Sequence, residues 1–290
     1  MGQRRKSNLE SEESVREEQV RRMFRRLHDT WGPQHWWPAE TAFEMIVGAY
    51  LTQNTAWKNV ELALARLRRV SALSVDGVRR TPIAELEDLV RPAGYFRQKA
   101  TRLKQFVEHL DTRYAPTECG EARLSRAECD NRALAAMLSR PADELRNELL
   151  ALNGVGPETA DSIVLYAALH PIFVVDAYTK RIFSRHDLVS EDVKYEEVRA
   201  LVETSLLNER RREFHTQNSA GAFDSAFRPP VHQPSALSQL PRSETAQVFA
   251  EFHGLLVQVG KHFCLKQEPR CHECPLADSL PKRLERVRKA

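Results

Sequence analysis

The sequence predicts an all-α fold. Apolar residues recur at helical spacing through most of the chain, no segment shows a convincing two-residue alternation, and a tight Gly/Pro turn joins two apolar helical runs. With 290 residues and 42% hydrophobic content, the chain can build one large domain or two smaller ones. A net charge of +3 does not by itself announce a nucleic-acid partner. The basic residues are clustered, however, around Arg4 to Lys6, Arg21 to Arg26, Arg66 to Arg69 and Lys282 to Lys289. Such runs are solvated faces unless the fold turns them toward phosphate. No run of about 20 apolar residues is available to span a membrane, and the charged N-terminus lacks the apolar core of a secretory signal. A cytoplasmic location is expected, where the five cysteines would be free or metal-bound rather than disulfide-bonded.

Residues 1–11 are polar, charged and without aromatics, and read as a disordered tail. Glu12 to Asp29 reads as a helix with Val15, Val20, Met23, Phe24 and Leu27 on its apolar side. Three of the four tryptophans then fall within seven positions, in the stretch Trp31 to Pro38. They serve either as core filling between helices or as a stacking wall for a flat ligand. Glu40 to Tyr50 is an apolar helix that runs into Leu51-Thr52-Gln53-Asn54-Thr55-Ala56-Trp57. The polar step either points side chains at a ligand or caps the next helix through Asn54 and Thr55. Val60 to Val70 and Ile83 to Val90 are further helices, and Arg91 to Ala100 is a turn leading into a long basic helix that ends near Tyr114. Residues 115–131 read as an irregular surface insertion whose Cys119 and Cys129 carry no assigned function. Helices over Arg132 to Leu138 and Asp143 to Leu152 follow, and after the Gly/Pro turn comes an apolar run from Thr159 to Leu169. Tyr178 to His186, Tyr195 to Leu207 and Thr245 to Phe263 are helical, whereas 209–241 reads as a flexible linker with an arginine triplet at its start and four prolines in its second half.

The turn itself is Leu152-Asn153-Gly154-Val155-Gly156-Pro157-Glu158-Thr159. Two glycines one residue apart open backbone angles closed to other residues, and Pro157 suits the first position of the following helix, where its missing N–H costs nothing. The free N–H groups of such a helix start can hold a phosphate oxygen and grip a nucleic-acid backbone without reading sequence. This resembles the helix-hairpin-helix motif. Shortly after it, Phe173-Val174-Val175-Asp176-Ala177-Tyr178-Thr179-Lys180-Arg181 delivers a carboxylate to the start of another helix. Hairpin, Gly/Pro turn and aspartate in that order resemble the base-excision DNA glycosylases related to endonuclease III. Trp-Trp-Pro and Leu-Thr-Gln-Asn-Thr are similar to the branch that includes 3-methyladenine DNA glycosylases.

The resemblance implies a six-helix barrel over residues 39–171 and a second helical domain from 12–38 with 172–290, with double-stranded DNA across the cleft between them. It implies Asp176 as the catalytic carboxylate. It makes Trp36, Trp37, Pro38 and Trp57, with Glu158, the pocket for an extruded base. Gln53 would fill the gap left in the duplex and Tyr95 would wedge into the stack, unless Tyr95 is a core residue. Gly154, Val155, Gly156 and Thr159 of the hairpin would bind DNA, and Lys180, four residues after Asp176 on the same helix face, would serve as an ion-pair or phosphate partner.

Excising a base breaks the C1′–N bond through an oxocarbenium-like transition state, which a nearby carboxylate stabilises. An aspartate at a helix N-terminus stays ionised. A cationic alkylated base leaves readily and stacks well on tryptophan. Bifunctional members of the family place a lysine amine two residues after the second hairpin glycine; this chain has Glu158 there, which cannot form an imine. A monofunctional enzyme using water is therefore expected, acting as a monomer on DNA that holds a damaged base. At the C-terminus Cys264-(6)-Cys271-(2)-Cys274 matches three of the four ligands of the family's [4Fe–4S] cluster, and position 280, where the fourth would stand, is leucine. The fourth ligand would then be Asp278, His272 or solvent; zinc with His272 or an empty packed loop are the alternatives. The other functional readings are a glycosylase for oxidised or deaminated bases, a non-catalytic DNA binder and a redox sensor.

Overall fold

The structure is a computed structural model that describes residues 2–116, 124–207 and 232–281, with side chains from residue 13 onward. Among them every regular element is helical, and none is long and apolar enough to cross a membrane. The chain forms two compact units. One comprises Trp37–His170 with Ser235–Leu240; the other comprises Met1–Trp36, Pro171–Pro234 and Pro241–Ala290.

The first helix, α1 (Gly2–Trp31), belongs to the second of these units. In the first unit the central helix is α2 (Ala42–Thr52), capped by the Thr41 side chain, which accepts from the Glu44 N–H. Every residue from Phe43 to Leu51 is buried, as an all-round apolar helix requires. Glu44 tolerates this because its carboxylate reaches Arg68 at 2.5 Å. Around α2 lie α3 (Trp57–Arg69), α4 (Val75–Arg80), α5 (Ile83–Val90), α6 (Phe96–Tyr114), α7 (Arg126–Leu138), α8 (Ala142–Leu150) and α9 (Pro157–Ser162), which widens into a π turn over Ile163–Ala167. Most carry one apolar stripe, such as Val60, Ala63, Leu64 and Leu67 on α3.

The other unit contains α1 with α10 (Ala177–Arg185), α11 (Tyr195–Leu207) and α12 (Glu244–His262). Its core is aromatic: Phe252 of α12 meets Phe24 of α1 edge-on at 5.5 Å and lies 5.9 Å from Phe173. From α1, Val20, Met23, Phe24 and Leu27 enter this core, but Val15 is 64% exposed and does not.

Four expectations change. Residues 2–11 continue α1 instead of forming a disordered tail; Arg, Lys and Glu are good helix formers and sustain a helix already nucleated downstream. Residues 126–131 belong to α7, begun by a Ser125–Glu128 capping box that the polar composition disguised. Cys129 is disulfide-bonded, against the expectation of free or metal-bound cysteines; spacing along the chain does not reveal which sulfurs meet. Ser235–Leu240 is not free linker: Leu237 is buried and its N–H donates to the Ala39 carbonyl. Cys119, the basic run from Lys282 and residues 208–231 of the linker lie outside the described residues.

Candidate nucleic-acid interface and catalytic carboxylate

The hairpin joins α8 to α9. Two helices meet there because Arg146 of α8 reaches the fully buried Asp161 of α9, Nε to Oδ1 at 2.5 Å. The turn closes with the Val155 N–H donating to the Leu152 carbonyl. Gly154 has φ +77° and Gly156 is the extended N-cap before Pro157. Gly154 meets two demands at once, since a Cβ there would also fall 2.0 Å from Arg102 Nε. Gly156, Pro157 and Glu158 are exposed, whereas Val155 and Thr159 are buried beneath the turn. The presented surface is therefore backbone with the side chains of Asn153, Pro157 and Glu158.

Gln53 does not project freely. Its Nε2 donates to the Gly154 carbonyl at 2.9 Å and to Thr159 Oγ1 at 3.0 Å, and its Oε1 accepts from Arg102 Nη1 at 2.7 Å. The sequence offered no sign of Arg102 or of Lys99. Lys99 is buried, and burial, with the nearby Arg102 charge, pulls its ammonium down to about 8. Tyr95 sits at φ +44° directly after Gly94 at φ +66° and is 67% exposed. A core role for it is excluded; the left-handed turn throws the ring outward.

Trp37 and Trp57 come together, with ring centroids 5.3 Å apart and planes at 83°. Tyr166 lies 5.6 Å from Trp37 on another side, and Trp37 packs closely over Gly48 of α2. Trp57 and Pro38 are half-exposed. Trp36 belongs to the other compact unit, where it covers Gly254 and has Lys261 Nζ 5.3 Å from its ring. Trp31 stacks on Phe263 as core.

In that unit the buried stretch Phe173–Val175 leads to Asp176, the N-cap of α10. Asp176 Oδ1 accepts from the Thr179 N–H at 2.7 Å and Thr179 Oγ1 at 2.8 Å; Oδ2 faces His253 Nε2 at 3.8 Å. The side chain is only 12% exposed. Burial alone would raise its pKa, but the His253 imidazole and the two Thr179 donors outweigh it and hold the carboxyl below the ordinary aspartate value. His253, on the inward side of α12, was not legible as a site residue, since a histidine among Phe249, Phe252 and Leu256 looks like core filling. Lys180 Nζ donates to the Val193 carbonyl at 3.2 Å, along the 187–193 loop.

The anion held at one helix start and the exposed Gly/Pro hairpin between two tied helices both fall within the stretch that matches a known family. The model of the HhH-GPD superfamily base excision DNA repair proteins matches residues 47–206, which span both the hairpin and Asp176. The chain belongs to the HhH-GPD superfamily. It is 36% identical over 261 residues to the "Putative DNA repair glycosylase" of Methanocaldococcus jannaschii, covering 90% of this chain and 95% of that one. Endonuclease III of Thermotoga maritima is 24% identical over 232 residues, covering 80% and 79%. Among solved structures, a trapped endonuclease III–DNA covalent intermediate superposes with TM-score 0.64 at 20% identity over 94% of this chain and 99% of that one. The 3-methyladenine DNA glycosylase of H. pylori, bound to 1,N6-ethenoadenine, gives 0.56 at 24% over 86% and 97%. These two likenesses show the fold. The family is one of base excision DNA repair proteins.

The cysteine loop of this HhH-GPD protein follows α12. Cys264, Cys271 and Cys274 line one small cavity of about 20 Å³ with Arg185, His186 and Leu280. Arg185 Nη1 donates to Cys264 Sγ at 3.2 Å. Burial raises the Cys271 thiol and pushes Cys274 up to about 12. His272 Nε2 lies 3.1 Å from Glu273 Oε1 and Asp278 lies 3.9 Å from Arg26. Among the described residues no three His, Cys, Asp or Glu side chains are set to hold a metal ion. A [4Fe–4S] cluster with four cysteine ligands does not fit, since Leu280 stands at the fourth place.

Proposed function

We propose that this HhH-GPD protein is a monofunctional DNA glycosylase that releases an alkylated base extruded from double-stranded DNA, with Asp176 as its catalytic carboxylate. The observation that carries the reading is the state of Asp176: a nearly buried carboxylate held as an anion by Thr179 and His253. A carboxylate with a lowered pKa is a weak base but a lasting negative charge. It suits stabilisation of the oxocarbenium-like sugar as the C1′–N bond lengthens. The bonding pair leaves with the base, the water oxygen bonds to C1′, and the proton it sheds passes by way of Asp176 to solvent. Glu158 stands where an amine nucleophile would be needed, so no imine forms and the strand is left intact.

In this reading the hairpin residues Gly154, Gly156 and Thr159 grip backbone phosphate through N–H groups, while Val155 shapes the turn that presents them. Tyr95, exposed on its left-handed turn, stacks into the opened duplex, and Gln53 contributes beside it; together they offset the few kcal/mol that opening a base pair costs. Trp37 and Trp57 offer aromatic faces to a cationic base, worth roughly 0.5–2 kcal/mol, with Pro38 and Glu158 of the same unit completing the recognition set. Lys180 acts by fixing the loop beside α10. For the cysteine loop, the cofactor reading that remains is a cluster held on three thiolates, without part in hydrolysis. Iron content and thiolate-to-iron absorbance of anaerobically purified protein test it, and protein free of iron sinks it.

The central experiment is base release from methylated duplex DNA by wild type and Asp176→Asn, with free bases and strand breaks measured separately. Asparagine keeps the N-cap acceptor and loses the charge. Release should fall by roughly 10²- to 10³-fold while the fold stays intact. Strand breaks before alkaline treatment would refute the monofunctional assignment, and equal release by Asp176→Asn would refute the carboxylate's role. Release of oxidised or deaminated bases alone would move the substrate class.

A further inference from the structure

Lys99 is 1% exposed, and its Nζ lies within hydrogen-bond distance of four acceptors. The Leu51 carbonyl (2.8 Å) ends α2, and the Gln53 carbonyl (2.9 Å) and the Thr55 hydroxyl (2.7 Å) belong to the turn between α2 and α3. The fourth acceptor, the Ala93 carbonyl at 2.8 Å, belongs to the turn before α6. The Thr55 hydroxyl in turn donates to the same Ala93 carbonyl. One buried ammonium and one hydroxyl therefore join two turns that are about 40 residues apart in sequence.

These turns carry Gln53 and Tyr95. The second is strained: Gly94 and Tyr95 occupy left-handed backbone in succession, and for a tyrosine this persists only where the surroundings over-determine it. Ala93, immediately before the pair, is the residue that Lys99 and Thr55 hold. Gln53 is fixed at its carbonyl by Lys99 and at its amide by Arg102 and the hairpin.

We propose that Lys99 is a positioning residue that locks the Gln53 turn to the Tyr95 turn, so that both side chains meet the opened duplex as one rigid probe. The proposal rests on the reading of Gln53 and Tyr95 as DNA-probing residues. Lys99 is buried and touches no DNA in it. Its effect is on recognition of an opened site, not on grip of the backbone, which the hairpin supplies.

The test uses full-length protein and a duplex with a stable tetrahydrofuran abasic analogue opposite 2-aminopurine. Fluorescence reads the insertion of side chains beside the reporter, and anisotropy on undamaged duplex reads the backbone grip. Thermal unfolding screens Lys99→Met and Thr55→Val for folding. Thr55→Val keeps the lysine and removes only the hydroxyl bridge, so it carries the test if Lys99→Met does not fold. Both variants should lose at least about fivefold of the fluorescence change and of the preference for the abasic duplex, with binding to undamaged DNA within about twofold of wild type. Tyr95→Ala should lose a similar amount, and combining it with Thr55→Val should add little, because both act on one turn. A folded variant with an unchanged fluorescence response overturns the coupling, as does an equal loss on both duplexes. A flat response from wild type itself overturns the underlying reading of Gln53 and Tyr95, and is distinguished by appearing before any substitution.

Discussion

Gly154 and Gly156 look interchangeable in the sequence, yet alanine should separate them sharply. At Gly154 the backbone has φ +77°, where a side chain costs about 1–2 kcal/mol. An added Cβ would fall 2.0 Å from Arg102 Nε and 2.2 Å from its Cζ. The guanidinium must therefore move, giving up its 2.7 Å bond to Gln53 Oε1. Arg102 is half-buried, so that bond is discounted for solvent to about 1 kcal/mol. Together Gly154→Ala should cost about 2–3 kcal/mol, or roughly 3–5 °C in the melting temperature of a chain this size. Gly156 has φ −96°, and a Cβ there meets nothing within 4 Å. Gly156→Ala should stay within about 0.5 kcal/mol of wild type. Thermal and urea unfolding of both variants in parallel checks this, with anisotropy on undamaged duplex to follow the hairpin's grip. Equal losses for the two, or a Gly154→Ala loss below about 1 kcal/mol, would refute the account of the turn.

Thr179→Val removes one of the two donors to Asp176 Oδ1 and leaves the N–H in place. Asp176 is held below its ordinary pKa, so its contribution to stability is present above the unfolded-state value and is lost as pH falls through the folded one. The substitution raises the folded value. The acid limb of the pH–rate profile should move to higher pH, and an unmoved limb would show that Thr179 does not tune the carboxylate. Wild type should give no borohydride-trapped crosslink to DNA with an abasic site, whereas Glu158→Lys supplies an amine at the exposed hairpin and should give one; trapping by wild type would place an amine nucleophile elsewhere in the site.

Much of the fold was legible because helices are written locally. The apolar periods of Ala42–Thr52, Ile83–Val90 and Glu244–His262 and the Gly/Pro chemistry between α8 and α9 need only neighbours along the chain to be read. Asp176 as a helix start was legible for the same reason, since an aspartate after an apolar run is a cap signal. The errors fell where local pattern was silent or misleading. A charged segment without aromatics resembled a tail but continues α1, and a polar run hid the capping box of α7. A Pro-rich linker also hid the packed segment around Leu237.

Local pattern along the chain is thus enough for the all-α class, the hairpin and the carboxylate at the head of α10. The partners that surround them came from the packing of distant segments. It put His253 beside Asp176, Arg102 over Gly154 and the Lys99 ammonium among the carbonyls of two distant turns. It set adjacent Trp36 and Trp37 in different compact units and gave Lys180 the Val193 carbonyl. The physical reason is the range of the interactions. Periodicity and turn chemistry act over a few residues, whereas a buried charge or amide takes whichever acceptor helix packing brings within about 3 Å, and that acceptor can lie anywhere along the chain.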